Sequence, residues 1–148
     1  MISRTAEYAL RAVVHLAACV TSDGSNASQT LEQIAAGTQV PSGYLSKVLQ
    51  QLAKAQIVNS QRGLGGGFRL ARKPDEITVY DVVQPVDPIG RIPSCPLKLE
   101  AHAKGLCPLH ASLDAAAANI EAAFRSTTIA QLSSPTEPLC HDFIAATL

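Results

Sequence analysis

Apolar residues recur at helical spacing near the start of the chain: Ala6, Ala9, Val13, Leu16 or Ala17, and Val20. One-sided spacing of this kind predicts an amphipathic helix from about Thr5 to Cys19. A polar loop of Ser, Asn, Asp and Gly follows over 21–28. Thr30-Leu31-Glu32-Gln33 has the form of a capping box and predicts a short helix from Leu31 to about Gly37. Pro41-Ser42 opens the next helix, since proline is tolerated in a first turn. Tyr44, Leu45, Val48, Leu49 and Leu52 bury one side of it as far as Ala55-Gln56.

The pattern then changes. Ile57 to Arg62 and Phe68 to Ala71 read as two strands joined by the glycine-rich turn 63–67. Thr78 caps a predicted helix over Val79 to Val86. Residues 87–104 lose all periodicity and carry Pro88, Gly90, Pro93, Cys95, Pro96 and His102. From Leu106 an apolar stripe runs for about five helical turns through Leu109 or His110, Leu113, Ala116 or Ala117, Ile120, and Ala123 or Phe124. Thr128 caps a last short helix, Ile129 to Ser133, and the tail beyond it is interrupted by proline. Two short helices with a tight turn suggest a helix-turn-helix, and a hairpin after them is a wing. The predicted fold is therefore mainly α with a small β-hairpin wing. It divides into a winged helix-turn-helix over 1–86, a Cys-containing loop over 87–107, a long helix with a short follower over 106–134, and a tail over 135–148.

Composition changes this picture little until the charges are located. The chain has 148 residues, 47% hydrophobic and 16% charged, enough for one cored domain. Its formal net charge is zero, which looks adverse to a polyanionic partner. Up to Lys73, however, eight Lys and Arg stand against three Asp and Glu, a balance of +5. Beyond it, four stand against nine, a balance of −5. The basic half is a candidate footprint for nucleic acid. No apolar run has membrane-spanning length. Ala12 to Val20 could pass for a signal-peptide core, but Glu7, Arg11 and His15 interrupt it. The segment is read as part of the mature fold, a cytoplasmic location is expected, and no membrane partner. Cys19, Cys95, Cys107 and Cys140 are then thiols, thiolate ligands or redox switches rather than structural disulfides.

The glycine run lacks the Lys-Ser/Thr of a phosphate loop and leads into a strand, so a nucleotide site is not supported. As a wing it brings backbone close to a DNA sugar-phosphate chain, with Arg62 and Arg69 flanking the tip. Arginine there can enter a narrow minor groove, where the negative potential is enhanced. The Ala-rich stripe of the long helix can be covered by a second subunit or by the first helix of its own chain; a homodimer is favoured. No nucleophile–base pair appears, so an enzyme is not expected.

These segments resemble the Rrf2 family of winged helix-turn-helix transcriptional regulators, over roughly Ile2 to Ser133. Glu7-Tyr8-Ala9-Leu10-Arg11-Ala12 looks like its opening helix, and Pro41-Ser42-Gly43-Tyr44-Leu45 like the start of its recognition helix. Arg62-Gly63-Leu64-Gly65-Gly66-Gly67-Phe68-Arg69-Leu70 is similar to the wing motif R-G-x-G-G-G-[YF]-x-L, and Asp81-Val82-Val83 to the following helix. The resemblance implies a homodimer on a partly palindromic double-stranded DNA operator. Ser42, Tyr44 and Lys47 would face bases or phosphates, while Arg62 with Gly65 and Gly66 would reach the minor groove.

Cluster-binding members of the family carry three cysteines spaced C-x5-C-x5-C. Cys95 and Cys107 match the outer two; the middle position is Ala101. A cluster held by three cysteines is thereby excluded. His110 follows Cys107 by three residues, and His102 adjoins the vacant position. Glu7 matches a position from which some members offer a carboxylate across the dimer. Two thiolates, a histidine (His110, or His102 in its place) and Glu7 could hold a 2Fe–2S cluster. Three alternatives stay open: a redox dithiol pair, a zinc site with His102 or His110, or a regulator sensing a small molecule. A rival of another class is a cluster or metal carrier, or an electron-transfer protein. Cys19 reads as a core residue, His15 as a half-buried one, and Cys140-His141-Asp142 as a weak metal motif.

Overall fold

The computed structural model describes residues 2–20, 26–97, 99–102 and 105–133. The tail call, with Cys140-His141-Asp142, lies outside them. Six helices and one hairpin occur in the described residues: α1 Arg4–Ala18, α2 Leu31–Thr38, α3 Ser42–Lys54, β1 Val58–Gln61, β2 Gly67–Leu70, α4 Val79–Val83, α5 Pro108–Ser126 and α6 Ile129–Leu132. None of the helices described is long and apolar enough to cross a membrane.

Local sequence sets the helix starts. Ser3 caps α1 by accepting from the Ala6 N–H at 3.2 Å. Thr30 with Gln33, Thr78 with Asp81, and Thr128 with Gln131 each form a reciprocal capping box at the head of α2, α4 and α6. Each box satisfies two backbone donors that a helix start otherwise leaves unpaired. α2 stops where Gln39 takes a left-handed conformation (φ 54°), and Pro41 then precedes α3.

The core is built on α1, whose Ala6, Ala9, Ala12, Val13, Leu16 and Ala17 are buried. Ile34 of α2, Leu45, Val48, Leu49 and Leu52 of α3, and Val58 and Leu70 of the hairpin close over it. Each such aliphatic side chain contributes about 1.5–3 kcal/mol on burial. α1 and α2 cross closely enough that a Cβ at Gly37 would collide with the His15 ring. His15 is half-buried as expected, and burial pushes its pKa down. Cys19, read as a core residue, lies half-buried at the C-cap of α1.

β1 and β2 pair antiparallel, from Val58 opposite Leu70 to Gln61 opposite Gly67. Gln29 adds a fragment of a third strand, exchanging hydrogen bonds of 2.9 and 2.8 Å with Phe68. Nothing in the sequence pattern announces this single-residue pairing.

α5 begins at Pro108, two residues later than the apolar stripe implies, and α4 ends at Val83. The C-terminal end of α5 is tied to the winged body. Val79 N–H donates to the Thr127 carbonyl at 2.9 Å, Ile129 N–H donates to that of Ile77 at 2.8 Å, and the Arg125 guanidinium lies 3.5 Å from the Tyr80 ring centroid. Ile129 is fully buried in the main core. Midway along α5, Asp114 accepts two bonds from Arg91 (2.8 and 2.7 Å) and one from the Ile92 N–H (2.8 Å). The hydrogen bonds from Arg91 and from the Ile92 backbone hold the Asp114 carboxyl down at about 2. This latch fixes the loop after α4 against the long helix.

Candidate nucleic-acid interface and Cys/His group

With Leu45, Val48, Leu49 and Leu52 facing inward, helical geometry turns Gly43, Lys47, Gln50 and Lys54 outward along α3, with Tyr44 and Gln51 beside them. All six are exposed. The Tyr44 ring rests edge-on to Tyr8, with centroids 6.2 Å apart, and stays 62% exposed. Ser42 is exposed at the helix start. Gln50 and Lys54 were missed from the sequence; their spacing from Lys47, three and seven residues, is the signal that could have found them.

The wing carries Arg62 and Arg69, both exposed, and Gly65 at its turn with φ 74°. Gly66 packs against the turn backbone, where a Cβ would strike the Gln61 carbonyl. Leu64 stands wholly exposed at the tip. Among the described residues, Lys47, Lys54, Arg62 and Arg69 have no ion-pair partner, whereas Arg91 and Arg125 of the second half are engaged by Asp114 and Glu121. These four unpaired cations lie on α3 and the wing.

The second feature lies at the head of α5. Cys107 is the N-cap of that helix and His110 its third residue, the same two positions that form the capping boxes elsewhere. Here they bring Cys107 Sγ and His110 Nδ1 to 3.1 Å. Cys95 Sγ lies 3.6 Å from His110 Nδ1 and 3.4 Å from His102 Nδ1. His102 is delivered by a one-turn 3-10 helix, Glu100–His102, whose His102 N–H donates to the Leu99 carbonyl at 2.8 Å. The ligand atoms of Cys95, His102 and Cys107 all lie within 4.8 Å of one another. Both cysteines are buried, at 7% exposure. Burial pushes the Cys95 thiol up, but hydrogen bonds from the backbone N–H groups of Leu97 and Cys107, and from the Cys107 side chain, outweigh it and leave the pKa lowered.

His102 and His110 therefore both join the two cysteines, rather than one standing in for the other. Within one chain Glu7 lies apart from this group, on α1, where it pairs with Arg11 at 2.6 Å. Two thiolates and two imidazoles suit a soft metal centre or a redox dithiol. They do not suit a cluster held by three thiolates.

A helix-turn-helix, a basic wing and a long carboxy-terminal helix define a winged-helix DNA-binding regulator. The family model Rrf2, described as an iron-dependent transcriptional regulator, matches residues 2–135. The chain belongs to the Rrf2 family. A protein of Aquifex aeolicus (strain VF5), named as an HTH-type transcriptional regulator, is 31% identical over 135 residues, covering 89% of this chain and 90% of its own. Among solved structures, CymR, the global cysteine regulator of B. subtilis, superposes with a TM-score of 0.71 at 24% identity, covering 93% of this chain and 98% of its own. T. potens IscR gives 0.72 at 23%, covering 93% and 88%. These likenesses establish the fold: mainly helical, with an antiparallel two-stranded wing.

Proposed function

We propose that this chain acts as a homodimer on a partly palindromic DNA operator, and that its operator affinity follows the state of the Cys95/Cys107 group. The observation that carries the reading is the exposed, unpaired cationic surface shared by α3 and the wing. In it, α3 enters the major groove. Lys47 and Lys54 neutralise phosphates, Ser42 and Tyr44 position the helix, and Gln50 reads a base edge, where glutamine pairs well with adenine. Arg62 and Arg69, presented by Gly65 and Gly66, reach the minor groove, and Leu64 meets the sugars there.

Dimerisation rests on α5. Ala117, Ile120 and Phe124 are partly buried, while Leu109, Leu113 and Ala116 are exposed on the outer side. That outer stripe has the four-and-three spacing of a helix seam, and a second copy about a two-fold axis covers it. The sensing group sits at the free end of the same helix. A 2Fe–2S cluster, a dithiol switch and a metal ion are each compatible with this reading, and its DNA-binding part stands whichever is present. Location in the cytoplasm and a cytosolic redox poise belong to the same proposal.

Arg62→Ala should weaken binding to the duplex upstream of the chain's own reading frame by about tenfold or more, the usual weight of one good arginine contact. Its mass in solution should stay unchanged. Fluorescence anisotropy with sedimentation checks both, and unaltered affinity would remove the wing from the interface.

A further inference from the structure

We propose that Leu64 makes the wing a minor-groove discriminator, which admits A·T base pairs and rejects G·C pairs at the position its tip meets. This rests on the reading of the wing as a minor-groove element and names what it selects there.

Three observations carry it. The first is what the tip consists of. Residues 63–67 read Gly-Leu-Gly-Gly-Gly, so Leu64 supplies the only side chain between Arg62 and Phe68. Leu64 is wholly exposed, whereas Phe68 packs partly buried against the core. A tip of bare backbone suits a groove about 6 Å wide. What lies at the floor of that groove meets peptide backbone and one apolar side chain.

The second is rigidity. The Gly66 N–H donates to the Gly63 carbonyl at 2.9 Å, and Gly65, third of the four, has φ 74°. This is the pattern of a type II turn with Leu64 at its second position. A Cβ at Gly66 would strike the Gln61 and Gly63 carbonyls, and one at Gly67 the Gln29 carbonyl. Phe68 and Gln29 exchange two hydrogen bonds, which fix the base of the wing to the chain leading into α2. The fold therefore holds Leu64 outward at a set place relative to α3.

The third is chemistry. The polar side chains flanking the tip, Arg62 and Arg69, are exposed, and guanidinium groups donate hydrogen bonds but cannot accept them. A·T and T·A pairs show only acceptors in the minor groove, which suit these donors, and the narrow groove of A·T runs has the stronger negative potential. G·C adds the guanine N2 amino group, a donor. Pressed against Leu64, that amino group loses water and finds no side-chain acceptor, which is costly. Leu64 thus rejects the wrong pair more than it attracts the right one, a common source of specificity.

The test uses the full chain and a fluorescent duplex selected from a random pool, with the base pairs under the wing tips located by hydroxyl-radical footprinting. The A·T pairs expected there are replaced in turn by G·C, by inosine·C, which lacks the minor-groove amino group, and by diaminopurine·T, which adds that group to an A·T pair. G·C and diaminopurine·T should lower affinity by about tenfold or more, the usual weight of one wrong pair. Inosine·C should stay within about twofold of A·T, because its minor-groove face matches. Leu64→Ala should reduce the diaminopurine penalty to about twofold, and Leu64→Asn, whose side-chain oxygen accepts from the amino group, should turn it into a preference. Leu64 lies outside the core and has no positive φ, so both variants should fold as the parent does and still protect the groove under the wing. G·C selected under the tips would overturn the proposal, as would a penalty that survives both variants or an inosine·C duplex as weak as G·C. Loss of the wing's protection in the variants would also overturn it, since Leu64 would then be a docking contact and not a reader. A chain that enriches no duplex would overturn the reading of the wing itself, an outcome distinct from all of these.

Discussion

Leu113→Glu is expected to split the proposed homodimer and lower operator affinity by about a hundredfold or more, the scale of avidity lost when two linked half-site contacts become independent. Leu113 is 52% exposed on α5, so the charge meets water in the isolated chain and leaves its own fold intact. In the dimer it would lie in the helix seam, where an unpaired carboxylate is costly to desolvate. Sedimentation should show a monomer, and circular dichroism an unchanged helix content. Asn119→Glu, also on exposed α5 surface but off the Leu109/Leu113/Ala116 stripe, should do neither. A dimer that survives Leu113→Glu would mean that another face of the chain forms the interface.

The second large effect concerns stability. Gly67→Ala should cost about 2–4 kcal/mol, combining backbone strain with steric overlap. Gly67 sits at φ 146°, and its Cβ would collide with the Gln29 carbonyl, the group that accepts the Phe68 N–H. The substitution therefore breaks the bridge that ties the wing to the residue before α2. Gly65→Ala provides the comparison: its φ is 74°, but nothing lies near a Cβ there, so only the strain of about 1 kcal/mol remains. Urea unfolding of both variants measures the difference. Equal, small losses would mean that the Gln29–Phe68 bridge contributes little.

Much of this architecture was legible in the sequence because it rests on local rules. The capping box at Thr30 and the caps at Thr78 and Thr128 marked three helix starts, and the apolar face of Leu45, Val48, Leu49 and Leu52 marked α3. The wing followed from strand patterning around glycines, and its residues Arg62 to Leu70 carry the resemblance to one family's wing motif. What escaped depends on contacts distant in sequence. The Gln29–Phe68 pairing has no periodic signature. Gly37 inside α2 looked unremarkable until the His15 ring filled the space above it. The α5 stripe read as one continuous face, yet it divides between Ala117, Ile120 and Phe124 toward the body and Leu109 and Leu113 toward solvent.

The Cys/His group shows the same boundary between local and distant information. Cys107 with His110 followed from spacing on one helix turn, and the structure places them together. His102 could not be assigned from spacing alone, because a short 3-10 helix brings it to Cys95 across an aperiodic loop. Its relation to Cys95 is a matter of loop closure, which sequence periodicity does not encode. The zero net charge hid an equally spatial fact. Arg91 and Arg125 of the second half are neutralised by Asp114 and Glu121, while Lys47, Lys54, Arg62 and Arg69 of α3 and the wing stay exposed.

The central claim is that α3 and the wing of a two-fold dimer read DNA. Selection of the full chain on a random duplex pool, followed by footprinting of the enriched sites at several salt concentrations, tests it most directly. The account predicts an inverted repeat whose half-sites lie about one helical turn apart, bound with an affinity that falls steeply as salt rises. Failure to enrich any sequence above non-specific binding would contradict it.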